Sequence, residues 1–171
     1  WLSGALSATE IVGWYNGHPD HSGHHVDLSA ERAVVIGNGN VALDVARILT
    51  SDPAALADTE IASPALAALN ASRVEEVVIA ARGGVERSAF TLPELVGLSG
   101  LEGVSVQVEL GALDGVPSGD PKIDLLRSLP PVRDGDRRIV LRYGLEPSEI
   151  LGVDQVEAVA FRGGEVVDAG L

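Results

Sequence analysis

Val34-Val35-Ile36-Gly37-Asn38-Gly39-Asn40-Val41-Ala42-Leu43-Asp44-Val45-Ala46-Arg47 is the stretch that decides the fold. A β-branched run ends in Gly-Asn-Gly, and an apolar, Ala-rich segment of helical character follows at once. The pattern predicts a strand, a tight turn and a helix N-terminus in direct succession. Such a turn suits an anion. The first Gly can take a positive φ, and the second has no Cβ to keep a diphosphate away. The helix then offers unpaired N–H groups and the positive end of its dipole. Ala42 takes the third position of G-x-G-x-x-G/A, which still lets helix and strand pack closely. Gly37, Asn38, Gly39, Asn40, Val41 and Ala42 are therefore the expected dinucleotide contacts. A buried βα turn with no ligand is the plainer alternative.

Outward from this stretch the chain reads as α/β: a Rossmann-like parallel sheet flanked by helices, with an added antiparallel β ribbon. The first strand starts at residue 31 or 32 and ends at 36. Its helix spans 40–50 and is stopped by Ser51-Asp52-Pro53. Two short helices, 54–57 and 65–69, form an insertion. The run 74–81 is a second parallel strand. Thr91-Leu92-Pro93-Glu94 reads as a capping box with Pro in the first turn, opening a helix that ends near 98. Residues 104–110 are a third strand, 111–121 a loop and 123–129 a short helix. Strands at 138–143 and 154–161, an extended 145–150 and a hairpin turn at 162–165 are assigned to the ribbon. Near the start, Ser7 and Glu10 have capping-box spacing ahead of Ile11, Val12, Trp14 and Tyr15. That aromatic pair is expected in the core, with packing on another domain as the alternative.

The chain has 171 residues, is 46% hydrophobic and has a mean hydropathy of +0.22, which describes a globular domain. It contains no Cys, which excludes disulfides, a thiol nucleophile and Cys-ligated metal within it. The net charge of −13 argues against a nucleic-acid partner. No apolar run approaches the ~20 residues that span a bilayer, and no signal segment is visible, so a cytoplasmic setting without membrane contact is expected. The absence of Met sets the expectation of a piece excised from a longer protein, with residues 1–171 a single nucleotide-binding domain. His18, His21, His24 and His25 fall close together, but without a spacing that fixes imidazoles on one face. A solvated loop is the expectation there, with a metal site the alternative.

Nucleotide selectivity belongs at the end of the second parallel strand. An acid there accepts from a ribose 2′-OH, and an Arg accommodates a 2′-phosphate. This chain has Arg82, in Ala80-Ala81-Arg82-Gly83-Gly84, which favours NADP over NAD. Arg87 is a second candidate. A solvated strand-end charge is the competing reading. The usual turn-to-Arg spacing is about 20 residues, and the insertion at 53–72 must absorb the excess.

Three segments carry a family resemblance: Ser7-Ala8-Thr9-Glu10-Ile11-Val12-Gly13-Trp14-Tyr15-Asn16-Gly17, Gly37 to Arg47, and Ala89-Phe90-Thr91-Leu92-Pro93-Glu94-Leu95. The sequence resembles the adrenodoxin-reductase-like ferredoxin–NADP(+) reductases. The resemblance implies a glutathione-reductase-like nucleotide-binding domain, here the NADP(H)-binding domain alone. It also implies a parent flavoprotein whose FAD is bound mainly by the missing domain of the same chain, and ferredoxin as electron-transfer partner. The isolated piece is then expected to bind NADP(H) and to be inactive, with no catalytic residue of its own. Gly37 to Val41 match the diphosphate contacts. Arg82 matches the first of two adjacent arginines on the 2′-phosphate. The second is Gly83 here, a departure that weakens selectivity for NADP unless Arg87 substitutes. Glu94 and Asp44 match positions on the nicotinamide side, although Glu94 also fits a capping box and Asp44 an i,i+3 partner of Arg47. The NADP domain of a glutamate-synthase small-subunit-like reductase and a non-catalytic NAD(P) sensor are the alternatives.

Overall fold

The computed structural model describes residues 2–171; Trp1 lies outside the described residues. Helix α1 (Ala8–Tyr15) opens the domain with the capping box formed: Ser7 Oγ accepts from Glu10 N–H, and Ser7 N–H donates to the Glu10 carboxylate. The elements that follow are β1 (Arg32–Ile36), α2 (Asn40–Thr50), α3 (Pro53–Leu56), α4 (Ser63–Asn70), β2 (Glu76–Ala80), a 3₁₀ turn (Val85–Arg87), α5 (Leu92–Ser99), β3 (Val104–Val108) and α6 (Pro121–Arg127). Four strands close the chain: β4 (Arg137–Arg142), β5 (Pro147–Leu151), β6 (Ala158–Phe161) and β7 (Val166–Asp168).

β1, β2, β4 and β3 lie side by side in that order, all parallel. The period-2 alternation of a strand divides their side chains between two cores. Val77, Ile79, Ile139 and Leu141 face the helices, while Val78, Ala80 and Val140 face the other way. The second face is covered by the antiparallel sheet β5-β6-β7, through Val159, Phe161 and Val167. A strand clamped between two layers has no wet face, so β2 is buried along its length. Each fully buried Val or Ile contributes roughly 1.5–3 kcal/mol. The one charge in β2, Glu76, sits between two cations on the flanking strands: Arg32 Nε at 2.5 Å and Arg138 at 3.1 Å.

Two expectations are corrected. The 138–143 strand does not belong to the ribbon; it is β4, inside the parallel sheet between β2 and β3. The ribbon begins only at β5, and its middle strand is shorter than the 154–161 expected. The Thr91–Glu94 capping box is also absent: Thr91 occupies the N-cap of α5 but makes no side-chain cap bond. Trp14 and Tyr15 are core residues, 3% and 4% exposed.

Candidate functional site

The turn after β1 starts from a fixed point. Gly37 N–H donates to the Ala80 carbonyl at 2.8 Å, tying the end of β1 to the end of β2. Gly37 then takes φ +112°, which an L side chain adopts only with strain. Gly39 is the N-cap of α2 in ordinary extended geometry, φ −85° and ψ 179°, and provides no side-chain cap. Its carbonyl accepts from Ala42 and Leu43 N–H, whereas the N–H groups of Asn40 and Val41 have no partner among the described residues. A Cβ built on Gly37 or Gly39 meets nothing within 4 Å. The turn is thus a bare backbone concavity with two unused donors at the positive end of an 11-residue helix. Those features fit a diphosphate.

Beside the turn lies a cavity of about 410 Å³, lined by Gly37 and Asn38 from the turn, Arg82, Gly83 and Arg87 from the segment after β2, and Pro147 at the start of β5. The structure therefore brings Arg82 and Arg87 together with the turn. The long insertion costs nothing in geometry: α3 packs against α4, α4 packs against α1, and β2 still returns beside β1 in register.

Glu94 and Asp44 do not line that cavity. Glu94 is exposed in the first turn of α5 and forms no hydrogen bond or ion pair among the described residues. Asp44 is occupied. Tyr15 Oη–H donates to its Oδ2 at 2.6 Å, and Arg47 pairs with its other oxygen. Burial, followed by the hydrogen bond to Asp44, pushes the Tyr15 phenol above its ordinary range.

Three supporting side chains were not legible as such. Asn40 Oδ1 accepts from Thr91 N–H at 2.8 Å, so the residue that opens α2 also holds the N-cap residue of α5 and ties the two helix N-termini together. Lys122 Nζ donates to the carbonyls of Ser88 and Phe90, at 2.8 and 3.3 Å. Buried Ser88 donates to the Val85 carbonyl and shares a 2.9 Å hydrogen bond with the Tyr143 hydroxyl. Together they hold the segment that carries Arg87. The only available sequence signal was that Lys122 is the single lysine.

The histidine loop is exposed at His18 and His25, while His21 and His24 are partly covered. His21 packs edge-on against His24, and its ring lies over α1, where a Cβ on Gly13 would come within 2.3 Å of it. No group of three or more His, Cys, Asp or Glu side chains able to hold a metal is found among the described residues. No described helix is long and apolar enough to cross a membrane.

Fold and turn define a Rossmann-like α/β domain with a glycine turn at a helix N-terminus. No protein-family model matches the chain. It is 48% identical over 174 residues to the probable ferredoxin/ferredoxin–NADP reductase of Mycobacterium tuberculosis, which covers 94% of this chain and 30% of that protein. It is 44% identical to the NADPH-ferredoxin reductase FprA of the same species, over 99% of this chain and 40% of that one. Among solved structures it matches M. tuberculosis FprA in complex with NADPH, with a TM-score of 0.93 and 40% identity, over 99% of this chain and 44% of the other. Over nearly its whole length the chain is similar to part of these ferredoxin–NADP reductases, and it spans 30% to 40% of the length of these curated relatives.

Proposed function

We propose that this chain is the NADP(H)-binding domain of a longer ferredoxin–NADP reductase. The observation that carries the reading is the Gly37–Val41 turn, with its two unpaired N–H groups beside a cavity holding Arg82. The match to a relative solved in complex with NADPH supports the same ligand. Asn40 and Val41 N–H hold the diphosphate, with Gly39 giving it access to the backbone. Arg82 pairs with the 2′-phosphate. The nicotinamide end extends toward the α1–α2–α5 side, where Glu94 has a carboxylate free for the carboxamide and Asp44 is held in place by Tyr15 and Arg47. NADPH bound there supplies a hydride to FAD held by another part of the longer protein, from which electrons pass to ferredoxin.

What this chain contributes is positioning. A dinucleotide gripped at its diphosphate and adenosine ends has its nicotinamide fixed in direction, which removes orientational freedom before the chemical step. The chemistry itself belongs to the coenzymes. Purifying the complete protein that contains this segment tests the proposal. The expected result is a yellow protein with bound FAD that reduces an iron–sulfur ferredoxin with NADPH. A complete protein without flavin, or one that leaves the ferredoxin oxidised, refutes it.

A further inference from the structure

We infer that Arg87 is the second guanidinium on the 2′-phosphate, and that Gly83 is what gives it room. The inference rests on the NADP(H) reading above. The chain has 12 cationic side chains, Lys122 and eleven arginines. Eight arginines pair with carboxylates. Arg137 donates to the carbonyls of Thr50 and Ser51, and Lys122 to those of Ser88 and Phe90. That leaves Arg82 and Arg87 as the cations with no carboxylate or carbonyl partner among the described residues. In a chain with 25 acidic residues, two idle guanidinium groups lining one cavity are a pairing that calls for an anion.

Both start from fixed backbone. Ala81 N–H donates to the Arg142 carbonyl at 2.8 Å, and Gly144 N–H to the Gly83 carbonyl at 3.1 Å. Arg87 N–H donates to Gly84 at 3.0 Å, and its neighbour Ser88 is locked by Val85 and Tyr143. The stems are anchored and the charged tips are exposed.

Gly83 decides the path of the second stem. A Cβ at residue 83 would stand 3.2 Å from Arg87 Cβ and 3.3 Å from its Cδ. The Arg87 chain thus lies across the α-carbon of residue 83, and any side chain there would contest that space. A glycine at 83 and this path of Arg87 go together. Glu86, the nearby acid, folds back over Gly84 and pairs with neither arginine. A phosphate dianion accepts from two guanidinium forks at once, and NADH offers them only a neutral hydroxyl.

Calorimetry of NADPH and NADH binding to the 171-residue chain tests this, with Arg82→Gln, Arg87→Gln and Arg87→Lys variants. The wild-type chain is expected to prefer NADPH. Arg87→Gln should weaken NADPH by about tenfold to a hundredfold, the value of one charge-assisted contact, and leave NADH within about twofold, which also shows that the variant is folded. Arg87→Lys should recover part of the loss. An unchanged preference in Arg87→Gln, with collapse in Arg82→Gln, overturns the role of Arg87 and leaves the nucleotide reading standing. Equal wild-type affinity for the two nucleotides also overturns it. A wild-type chain that binds neither nucleotide overturns both readings.

Discussion

Gly39→Ala separates binding from folding more cleanly than any other substitution in the turn. Residue 39 has φ −85° and ψ 179°, which alanine adopts freely, and its Cβ would meet nothing within 4 Å. Alanine is a poorer N-cap than glycine, but it stiffens the unfolded chain, and the two effects offset to within about 0.5 kcal/mol. The melting temperature should therefore move by no more than about 2 °C. The new methyl stands where the diphosphate must approach. Displacing that group by about 1 Å stretches N–H···O⁻ contacts of about 2.8 Å to nearly 4 Å, beyond hydrogen-bonding range. Loss of even one such contact, from Asn40 or Val41, costs about 1.5–3 kcal/mol. NADPH should bind at least tenfold more weakly by calorimetry. Gly37→Ala is the control with the opposite signature: its Cβ also meets empty space, but φ is +112°. Forcing alanine into that region costs about 1–2 kcal/mol, or roughly 2–8 °C in melting temperature. A Gly39→Ala chain that melts like wild type and binds NADPH within twofold of it would show that no phosphate rests on Gly39.

Asn40→Ala should remove the bond to Thr91 N–H and cost about 1 kcal/mol; the Thr91 amide should then exchange faster with deuterium by NMR, and unchanged protection would refute the brace. Tyr15→Phe should destabilise the domain by about 1–2 kcal/mol in urea titration, since Asp44 is left with Arg47 alone. The same residue sets a pH dependence. The folded phenol has a raised pKa, so its contribution is complete below the unfolded value near 10 and is lost as pH climbs past it. Wild type should lose stability more steeply than Tyr15→Phe above pH ~10, and parallel curves would refute the assignment. Glu76→Gln should cost about 1–2 kcal/mol, because two arginines lose their shared carboxylate while their half-exposed tips still reach water; an unchanged urea midpoint would show that the triad contributes nothing.

Residues 32–50 were legible because each boundary carries its own chemistry: a β-branched run, a glycine that must turn, and Ser51-Asp52-Pro53 as the stop. β4 was not. Its apolar run is only Ile139-Val140-Leu141 between arginines, and what makes it a central strand is pairing with β2 and β3, partners far away in sequence. Arg138 looks like a solvent-side residue until Glu76 is found across the sheet. The Thr91–Glu94 capping box failed for a similar reason. The N-terminus of α5 had already been tied by Asn40, 51 residues earlier, and no local rule sees that donor–acceptor pair. At the candidate site, the shape of the turn and the presence of a cation just after β2 could be read from residue type alone. The standing of Arg87 could not, because it depends on where every other cation finds its partner. Arg142, for example, is taken by Glu109 and Glu165 from distant parts of the chain.

The acidic composition bears directly on where a phosphate can bind. With a net charge of −13 the domain repels a phosphate-rich ligand at a distance. Two unit charges 10 Å apart in water interact by only about 0.4 kcal/mol, and salt at physiological strength screens that within about 8 Å. A guanidinium in contact with a phosphate contributes about 1.5–3 kcal/mol. Diffuse repulsion therefore loses to two well-placed cations plus the N–H groups of one helix end, provided no carboxylate has claimed those cations first. In this chain carboxylates claim most of the arginines and leave Arg82 and Arg87, in the segment after β2, beside the turn that follows β1. A long polyanion gains nothing from such an arrangement, since it needs an extended basic face. A single dinucleotide needs only these few groups, so the composition that excludes nucleic acid remains compatible with NADP(H).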